Sequence, residues 1–350
     1  MEVKALKFGG LTAKRPIVQG GMGVGVSLSS LAGNVAKWGG IGTISGVHPG
    51  YREADFKENP FRANLRAIGN ELEKAKEIAN GGIIGFNFMT VMNHYEEYVK
   101  EAIAAGADFI VSGAGLPVNL AKYAAGTRAA ILPIVSSARA LKLIVKQWQR
   151  ADRLPDAVVV EGPLAGGHLG YPYGHLVDGT FDTLEDSLVD VVDYVRELEE
   201  KNGVIIPVIA GGGVRSHADM ERLMALGASG VQVGTKFVAT EECDAAPAFK
   251  QAYLRSRKED VQLIESPVGL AARAIRNSFL EKVEKQGRIP VQRCYQCMNH
   301  CKQAETKYCI SQALIDAVQG REGLVFCGAN AYEIEKLSTV EKVMQELCGE

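Results

Sequence analysis

Cysteine is absent from the first 242 residues of this 350-residue chain, and five of its seven cysteines lie between residues 294 and 327. A disulfide-framed secreted protein spreads its cysteines more evenly, so this distribution argues against that class. A large charge of one sign is missing too, because the net charge is −2. No apolar run approaches the roughly 18 residues of a membrane span, and the opening residues lack a signal-peptide core. We expect a cytoplasmic protein that binds small molecules, with no nucleic-acid or membrane partner.

Short apolar runs recur along the chain, each ending in glycine or a small polar residue and each followed by an amphipathic, helix-like stretch. Such alternation predicts an α/β fold whose parallel sheet is covered by helices. A closed (β/α)₈ TIM barrel and an open doubly wound sheet both fit, and glycine-rich ends on nearly every run favour the barrel, where all the ends meet at one mouth. The eight runs span residues 15–23, 40–46, 82–89, 108–115, 130–137, 157–163, 206–213 and 230–237.

Two parts of different character divide the chain. We predict a barrel over residues 1–285 and a small metal-binding, cysteine-rich appendage over residues 286–350, closed by a helix over residues 331–347. The segment beginning at Ser216 has Asp219 three residues later, which resembles a capping box at a helix start. A long connection at residues 170–186 follows the sixth run, and we interpret it as a lid or as an aromatic loop packed on the rim, with Tyr171, Tyr173 and His175 as candidate substrate contacts.

Glycines at the ends of the seventh and eighth runs indicate a phosphate site. Gly211, Gly212 and Gly213 precede a helix, and Gly234 and Thr235 end the last run. Barrels commonly hold a phosphate between these two loops with main-chain amides, although packing glycines would give the same pattern. Gln19 and Asn87 end the first and third runs with amides that suit the edge of a flavin ring.

Seven motifs together resemble the nitronate monooxygenase (2-nitropropane dioxygenase) family, which also includes flavin-dependent enoyl-acyl carrier protein reductases. They are PIVQGGMG, GGIGTIS, GFNFM, SGAGLP, EGPLAGGHLG, PVIAGGGV and GASGVQVGTKF, in the order of the family, over roughly residues 5–280. SPVGLAARAIRN, at 266–277, is similar to a further family segment near the mouth. The resemblance implies FMN as cofactor. The implied contacts are Gln19, Gly20, Gly21, Met22, Asn87, Glu161, Gly166, Gly167, Gly211, Gly213, Gly234 and Thr235.

His168 is the histidine of the GGH motif, which in that family acts as acid or base beside the flavin. An imidazole near its own pKa can take a proton from the carbon next to a nitro group, or give one to an enolate, while flavin N5 exchanges the electrons. A histidine that only caps a turn is the plain alternative.

Nitronate oxidation is the first activity implied by the resemblance. The rival activity is reduction of an enoyl thioester with NAD(P)H or a donor protein such as ferredoxin. A ligand sensor without catalysis is a third interpretation.

Cys294, Cys297, Cys301 and Cys309 form a C-x₂-C-x₃-C-x₇-C pattern that the simplest family members lack. Four closely spaced thiolates suit a [4Fe–4S] cluster, zinc is the rival occupant, and free thiols are the plain reading. His300 could replace one cysteine as a ligand, but a position at the surface or behind the ligands is the favoured reading. An iron–sulfur cluster would pass electrons one at a time to the flavin, which favours the reductase activity. Zinc would pass no electrons, so nitronate oxidation would remain the preferred activity. A homodimer is a further expectation.

Overall fold

Eight parallel strands close into a barrel in the computed structural model, which describes residues 4–299 and 301–350. The strands of the described residues, inside and outside the barrel, are in chain order β1 (Leu6–Phe8), β2 (Leu11–Ala13), β3 (Ile17–Gln19), β4 (Ile41–Ser45), β5 (Ile83–Met89), β6 (Phe109–Gly113), β7 (Ala130–Val135), β8 (Val158–Glu161), β9 (Gly167–Leu169), β10 (Val208–Gly211), β11 (Gly230–Val233), β12 (Val261–Glu265) and β13 (Ala271–Ile275). The barrel runs β3 to β8 in sequence order, and then β10 and β11 return to β3. Each predicted run contains one of these eight strands, so the TIM barrel is confirmed.

Helices follow most of the barrel strands and cover its outside. They are α1 (Ser29–Lys37), α2 (Pro60–Ala79), α3 (Tyr95–Ala104), α4 (Leu120–Tyr123), α5 (Ala138–Trp148), α6 (Tyr173–Asp178), α7 (Leu184–Asn202), α8 (His217–Ala225), α9 (Thr235–Val238), α10 (Pro247–Arg255), α11 (Ser278–Gln286), α12 (Ile310–Val318) and α13 (Val340–Cys348). The predicted capping box begins α8: Ser216 Oγ accepts from the Asp219 N–H, and the Asp219 carboxylate accepts from the Ser216 N–H. None of the helices in the described ranges is long and apolar enough to cross a membrane.

Two apolar cores lie on the two faces of the barrel wall. Alternate residues of one strand face opposite ways, so in β6 Phe109 and Val111 join the inner core while Ile110 joins the outer core under the helices. The antiparallel hairpin of β1 and β2 places Leu6 and Phe8 in the inner core. This plug closes the barrel at the amino ends of its strands, which leaves the carboxyl ends as the open mouth.

A three-stranded antiparallel sheet stands outside the barrel, in the order β12–β13–β9. β9 is the short segment after β8, and its Leu169, His168 and Gly167 pair with Ala271, Ala272 and Arg273 of β13 respectively. A segment distant in sequence therefore fixes the backbone on both sides of the GGH histidine.

The C-terminal segment packs against the barrel, and part of its predicted structure was wrong. The predicted helix over residues 331–347 is a single 3₁₀ turn at Ala331–Glu333 followed by α13 from Val340. Thr339 interrupts the pattern because its hydroxyl accepts from the Lys342 N–H and so begins a new helix there. Apolar residues from Tyr295 to Cys348 belong to the same core as the barrel helices. The division at residue 285, one residue before α11 ends, stays a prediction.

Candidate active site

A cavity of about 540 Å³ opens at the carboxyl ends of the barrel strands. Its size is that of a cofactor or substrate site. Of the twelve predicted FMN contacts, ten line it together with His168: Gly20, Gly21, Met22, Asn87, Glu161, Gly166, Gly167, Gly213, Gly234 and Thr235. The structure therefore brings together residues from the carboxyl ends of five barrel strands and from the start of β9, as much as 215 positions apart in the chain.

Gln19 and Gly211 are the two predicted contacts that do not line the cavity. The Gln19 side chain is fully buried. Its Oε1 accepts from the Thr43 N–H at 3.1 Å and its Nε2 donates to the Gly20 carbonyl. These hydrogen bonds occupy the side-chain amide of Gln19 and connect β3 to β4 inside the barrel wall. The contact of Gln19 with FMN stays a prediction, and the residue's visible role is to hold the 20–22 segment.

His168 is half-buried in the cavity wall, and its imidazole is held from two sides. Its Nε2 lies 2.8 Å from Ser266 Oγ, in the turn between β12 and β13, and its ring meets Phe326 edge to face with the centroids 5.0 Å apart. In the described part of the chain Nδ1 has no hydrogen-bond partner. Burial lowers the pKa of His168 to about 4, so the imidazole is neutral at physiological pH and has a lone pair available to accept a proton.

Glu161 and Asn87 supply the other polar side chains that the sequence predicted at the mouth. Burial raises the pKa of Glu161 to about 7, because no charged partner compensates the carboxylate. The Tyr171 hydroxyl donates to the Glu161 carbonyl at 3.2 Å and fixes the end of β8. Asn87 packs against Gly21 so closely that a Cβ at position 21 would lie 2.3 Å from Asn87 Cβ. Glycine is therefore required at position 21.

The two glycine loops predicted to bind phosphate lie side by side on the cavity surface. Gly213 has φ +89°, and a Cβ there would approach Leu164 to 3.1 Å, so backbone rather than side chain faces the cavity. Two cations line the same region, Arg215 and Lys236. Each is already paired: Arg215 Nη1 with Glu333 at 2.9 Å and Lys236 Nζ with Glu346 at 2.7 Å. This donor set fits a phosphate held mainly by main-chain amides.

The C-terminal wall of the cavity was missed by sequence reasoning. Phe326, Gly328 and Ser338 line the cavity although they follow the cysteine segment. Backbone pairing secures this wall, since the Cys327 N–H donates to the Arg273 carbonyl at 3.0 Å. The one available signal was SPVGLAARAIRN, which contains both Ser266 and Arg273. Arg273 is buried and donates to the carbonyls of Pro163 and Ala165, directly before the GGH motif.

The 170–186 connection lies beside the cavity but contributes none of its described lining. It contains α6, whose Leu176 packs into a small core with Leu169 and Ala271. Tyr173 and His175 are exposed, and Tyr171 is partly buried in the same small core. The structure thus favours the interpretation of an aromatic loop packed on the rim.

The four predicted metal ligands line a second cavity, of about 20 Å³. Burial raises the pKa of Cys297 to about 11, and the nearby thiols of Cys309, Cys301 and Cys294 act in the same direction. Within residues 4–299 and 301–350, no three histidine, cysteine or acidic side chains are already gathered to hold a metal ion. His300 lies outside the described residues. The metal-binding appendage accordingly stays a prediction.

Comparison with known proteins places the chain in a family. The family described as nitronate monooxygenase matches residues 4–350, and the chain belongs to it. A probable nitronate monooxygenase of Staphylococcus saprophyticus is 25% identical over 308 residues, which cover 81% of this chain and 82% of that protein. The fold is similar to FabK from Thermotoga maritima, with a TM-score of 0.71, 24% identity and coverage of 96% and 92%. The fold is also similar to that of a nitroalkane oxidase from Streptomyces ansochromogenes, with a TM-score of 0.66 and 20% identity. The match covers 96% of this chain and 95% of that chain. The chain is therefore an oxidoreductase.

Proposed function

We propose that this protein is an FMN-dependent oxidoreductase that oxidises nitronates, with His168 as the proton acceptor. The observation that carries the proposal is a neutral, oriented imidazole in the wall of a cavity that fits a flavin nucleotide. Bound FMN would accept electrons from the nitronate, with oxygen as the final oxidant. Gly213, Gly234 and Thr235 would hold its phosphate, and Gly21, Asn87 and Glu161 would flank the ring.

His168 is suited to accept a proton from the carbon next to the nitro group, which converts a neutral nitroalkane into the nitronate. For Nδ1 to accept, Nε2 must carry the ring hydrogen and donate it to Ser266 Oγ at 2.8 Å. Ser266 would thus select the tautomer, as an oriented partner does for other catalytic histidines. Because burial lowers the pKa of the imidazole to about 4, the group rests as a base and not as an acid.

Oxygen uptake by the FMN-loaded protein tests the proposal. Adding a preformed nitronate in air should start oxygen consumption, and adding the neutral nitroalkane should do so at a rate that depends on His168. If instead the flavin is bleached by NAD(P)H without oxygen and recovers with an enoyl thioester, the protein is a reductase and the proposal is wrong.

We propose in addition that Cys294, Cys297, Cys301 and Cys309 hold a metal rather than remaining free thiols, the two occupants allowed by the sequence being an iron–sulfur cluster and zinc. Their shared cavity supports this. NAD(P)H or a donor protein as electron source, and a homodimer, stay predictions.

A further inference from the structure

The positive charges of the active-site cavity are unevenly distributed. Among the described residues, its cations are Arg215, Lys236 and Lys336. Arg215 and Lys236 lie on the two loops proposed to hold phosphate, after β10 and β11. Arg215 pairs with Glu333, three residues before Lys336, so the third cation belongs to the same end of the cavity. No arginine or lysine lines the cavity on any other segment of the described chain.

Aromatic side chains lie beside His168, away from these loops in the chain. Phe326 meets the His168 ring edge to face. The Tyr253 hydroxyl of α10 donates to the Phe326 carbonyl at 2.5 Å, so the polar atom of this tyrosine is already bonded. Phe249 lies one turn earlier on α10, with its ring centroid 6.0 Å from that of Tyr253. All three aromatic residues line the cavity, which makes its lining apolar next to the proposed base.

The apolar lining continues onto α12 and onto the loop between β3 and α1. The Ala246 N–H donates to the Val318 carbonyl at 2.9 Å and joins the start of α10 to the end of α12. Leu314, one turn before Val318, lines the cavity. Val26 lines it from the β3–α1 loop, and its carbonyl accepts from the Asp244 N–H at 3.2 Å, just before α10. Three separate segments therefore meet at one apolar surface.

A buried hydrogen bond docks α12 onto the barrel at this surface. The Gly50 N–H donates to Asn64 Oδ1 at 3.1 Å, which turns Asn64 Nδ2 toward His48 Nδ1 at 3.3 Å. Burial lowers the pKa of His48 to about 4, so the ring is neutral. Since Nδ1 must accept from the amide, the ring hydrogen is on Nε2, which donates to Ser311 Oγ at 2.8 Å.

Each residue of this hydrogen bond has a neighbour that lines the cavity. Val47 directly precedes His48, and Leu314 lies three residues after Ser311, on the same side of α12. His48 has φ +49°, a left-handed conformation that is uncommon for a residue with a side chain. The hydrogen bond therefore fixes the loop after β4 relative to α12, and with them Val47 and Leu314.

We propose that an apolar wall, which begins beside His168, binds the hydrocarbon chain of the substrate, and that Ser311 is a positioning residue for this wall. The apolar wall consists of Val26, Val47, Phe249, Tyr253, Leu314 and Phe326. The substrate class is then a nitroalkane, or its nitronate, with an alkyl chain of several carbons and no carboxylate. This inference rests on the proposed oxidation of nitronates. A methylene moved from water onto the wall strengthens binding about fourfold, whereas a carboxylate there loses water without gaining a cation.

Steady-state kinetics with preformed nitronates tests the inference. We expect kcat/KM to rise about threefold with each methylene from nitroethane to 1-nitrohexane. The nitronate of 4-nitrobutanoate should react about 100-fold less efficiently than that of 4-methyl-1-nitropentane, which has the same shape with methyl groups in place of the carboxylate oxygens. A flat chain-length series, or equal efficiency for the two compounds of the same shape, would overturn the inference.

Two substitutions test the residues of the wall. Val47→Thr keeps the side-chain shape but adds a hydroxyl, so KM for the nitronate of 1-nitrohexane should rise about threefold while that of nitroethane stays the same. Val204→Thr, at an exposed valine before β10, is the matched control and should change neither. Ser311→Ala should also raise KM only for the long chain and leave kcat unchanged. If Ser311→Ala keeps the wild-type chain-length series, Ser311 does not position the wall.

Binding of unreactive ligands separates this inference from the proposed function. Straight-chain alcohols from ethanol to 1-hexanol, titrated by the change in flavin absorbance, should bind about fourfold more tightly with each methylene. If this gradient appears in a protein that does not oxidise nitronates, the proposed function is wrong and the apolar wall is retained. If all the alcohols bind alike, the wall does not hold a hydrocarbon chain, whichever reaction the protein catalyses.

Discussion

Ser266 and Phe326 contact the His168 imidazole from two sides and fix its orientation. Because an oriented imidazole is suited to act as a base, His168 is the first residue that we would substitute. We expect His168→Ala to lower turnover of a neutral nitroalkane by about 10²- to 10⁴-fold, the contribution of a positioned base. FMN content should stay the same because no phosphate or ring contact is assigned to this side chain. His175→Ala, an exposed histidine of α6, is the matched control and should be silent. Loss of FMN from His168→Ala would instead assign the residue to cofactor binding.

Glu161 titrates within the physiological range, and stability should depend on it. Burial raises its pKa from 4.5 to about 7 in the folded chain. The folded state therefore holds the proton more tightly than the unfolded state, so stability falls as pH rises between those two values, by at most about 3 kcal/mol. Glu161→Gln has no charge to bury. The Tm difference between the variant and the wild type should move in favour of the variant from pH 5 to pH 8. If the curves of Tm against pH run parallel for the two proteins, the raised pKa is not that of Glu161.

The residues that sequence reasoning placed well are those whose role follows from strand ends. Glu161 ends β8 and Asn87 lies two residues before the end of β5, and the closed barrel carries both to the mouth. Gln19 also ends a barrel strand, yet its side-chain amide is hydrogen-bonded to the Thr43 N–H and the Gly20 carbonyl. Local sequence does not reveal such competition, because the Thr43 N–H that binds Gln19 belongs to another strand.

Among the elements, the β12–β13 hairpin supports the site from outside the barrel. It pairs with β9, carries Ser266 in its turn, and anchors the loop before the GGH motif through Arg273. The sequence indicated eight barrel strands because each repeats one local pattern. It could not indicate that a hairpin about 100 residues later pairs with the segment containing His168, since antiparallel pairing depends on long-range contact.

Arg273 provides a test of the anchoring by the hairpin. Arg273→Leu removes donors from two buried carbonyls, at a cost of about 1–3 kcal/mol for each unsatisfied acceptor, so thermal stability should drop by several degrees. kcat for the nitronate should fall as well, because the 163–165 loop leads into β9. Arg276→Leu is the matched control, since among the described residues the side chain of this exposed arginine pairs only with the exposed Glu281 and Glu284. Equal effects of the two changes, by calorimetry and steady-state kinetics, would refute the role.

In the molecule as a whole, two neighbouring residues join the active site to the cysteine loop. Pro267 lines the cysteine cavity, and Ser266 beside it bonds His168. The described C-terminal helices α12 and α13 share the outer core with the barrel, so this part of the chain is continuous with the mouth. A metal at the cysteines would therefore fix one end of the turn that orients the base.

This connection predicts that removing the proposed metal slows catalysis through Ser266. Stripped protein should keep its FMN but turn over nitroalkane about tenfold more slowly, because the Pro267 side of the turn loses its support. Ser266→Ala should show a similar loss, and stripping metal from that variant should add little, since changes that act through one contact are not additive. Cys348→Ser, which leaves all four thiols of the cavity in place, should behave as wild type throughout. The four rates, measured as oxygen uptake at equal FMN content, form a double-mutant cycle. If the two losses simply multiply, the cysteine loop acts on the site by another route and the turn does not couple them.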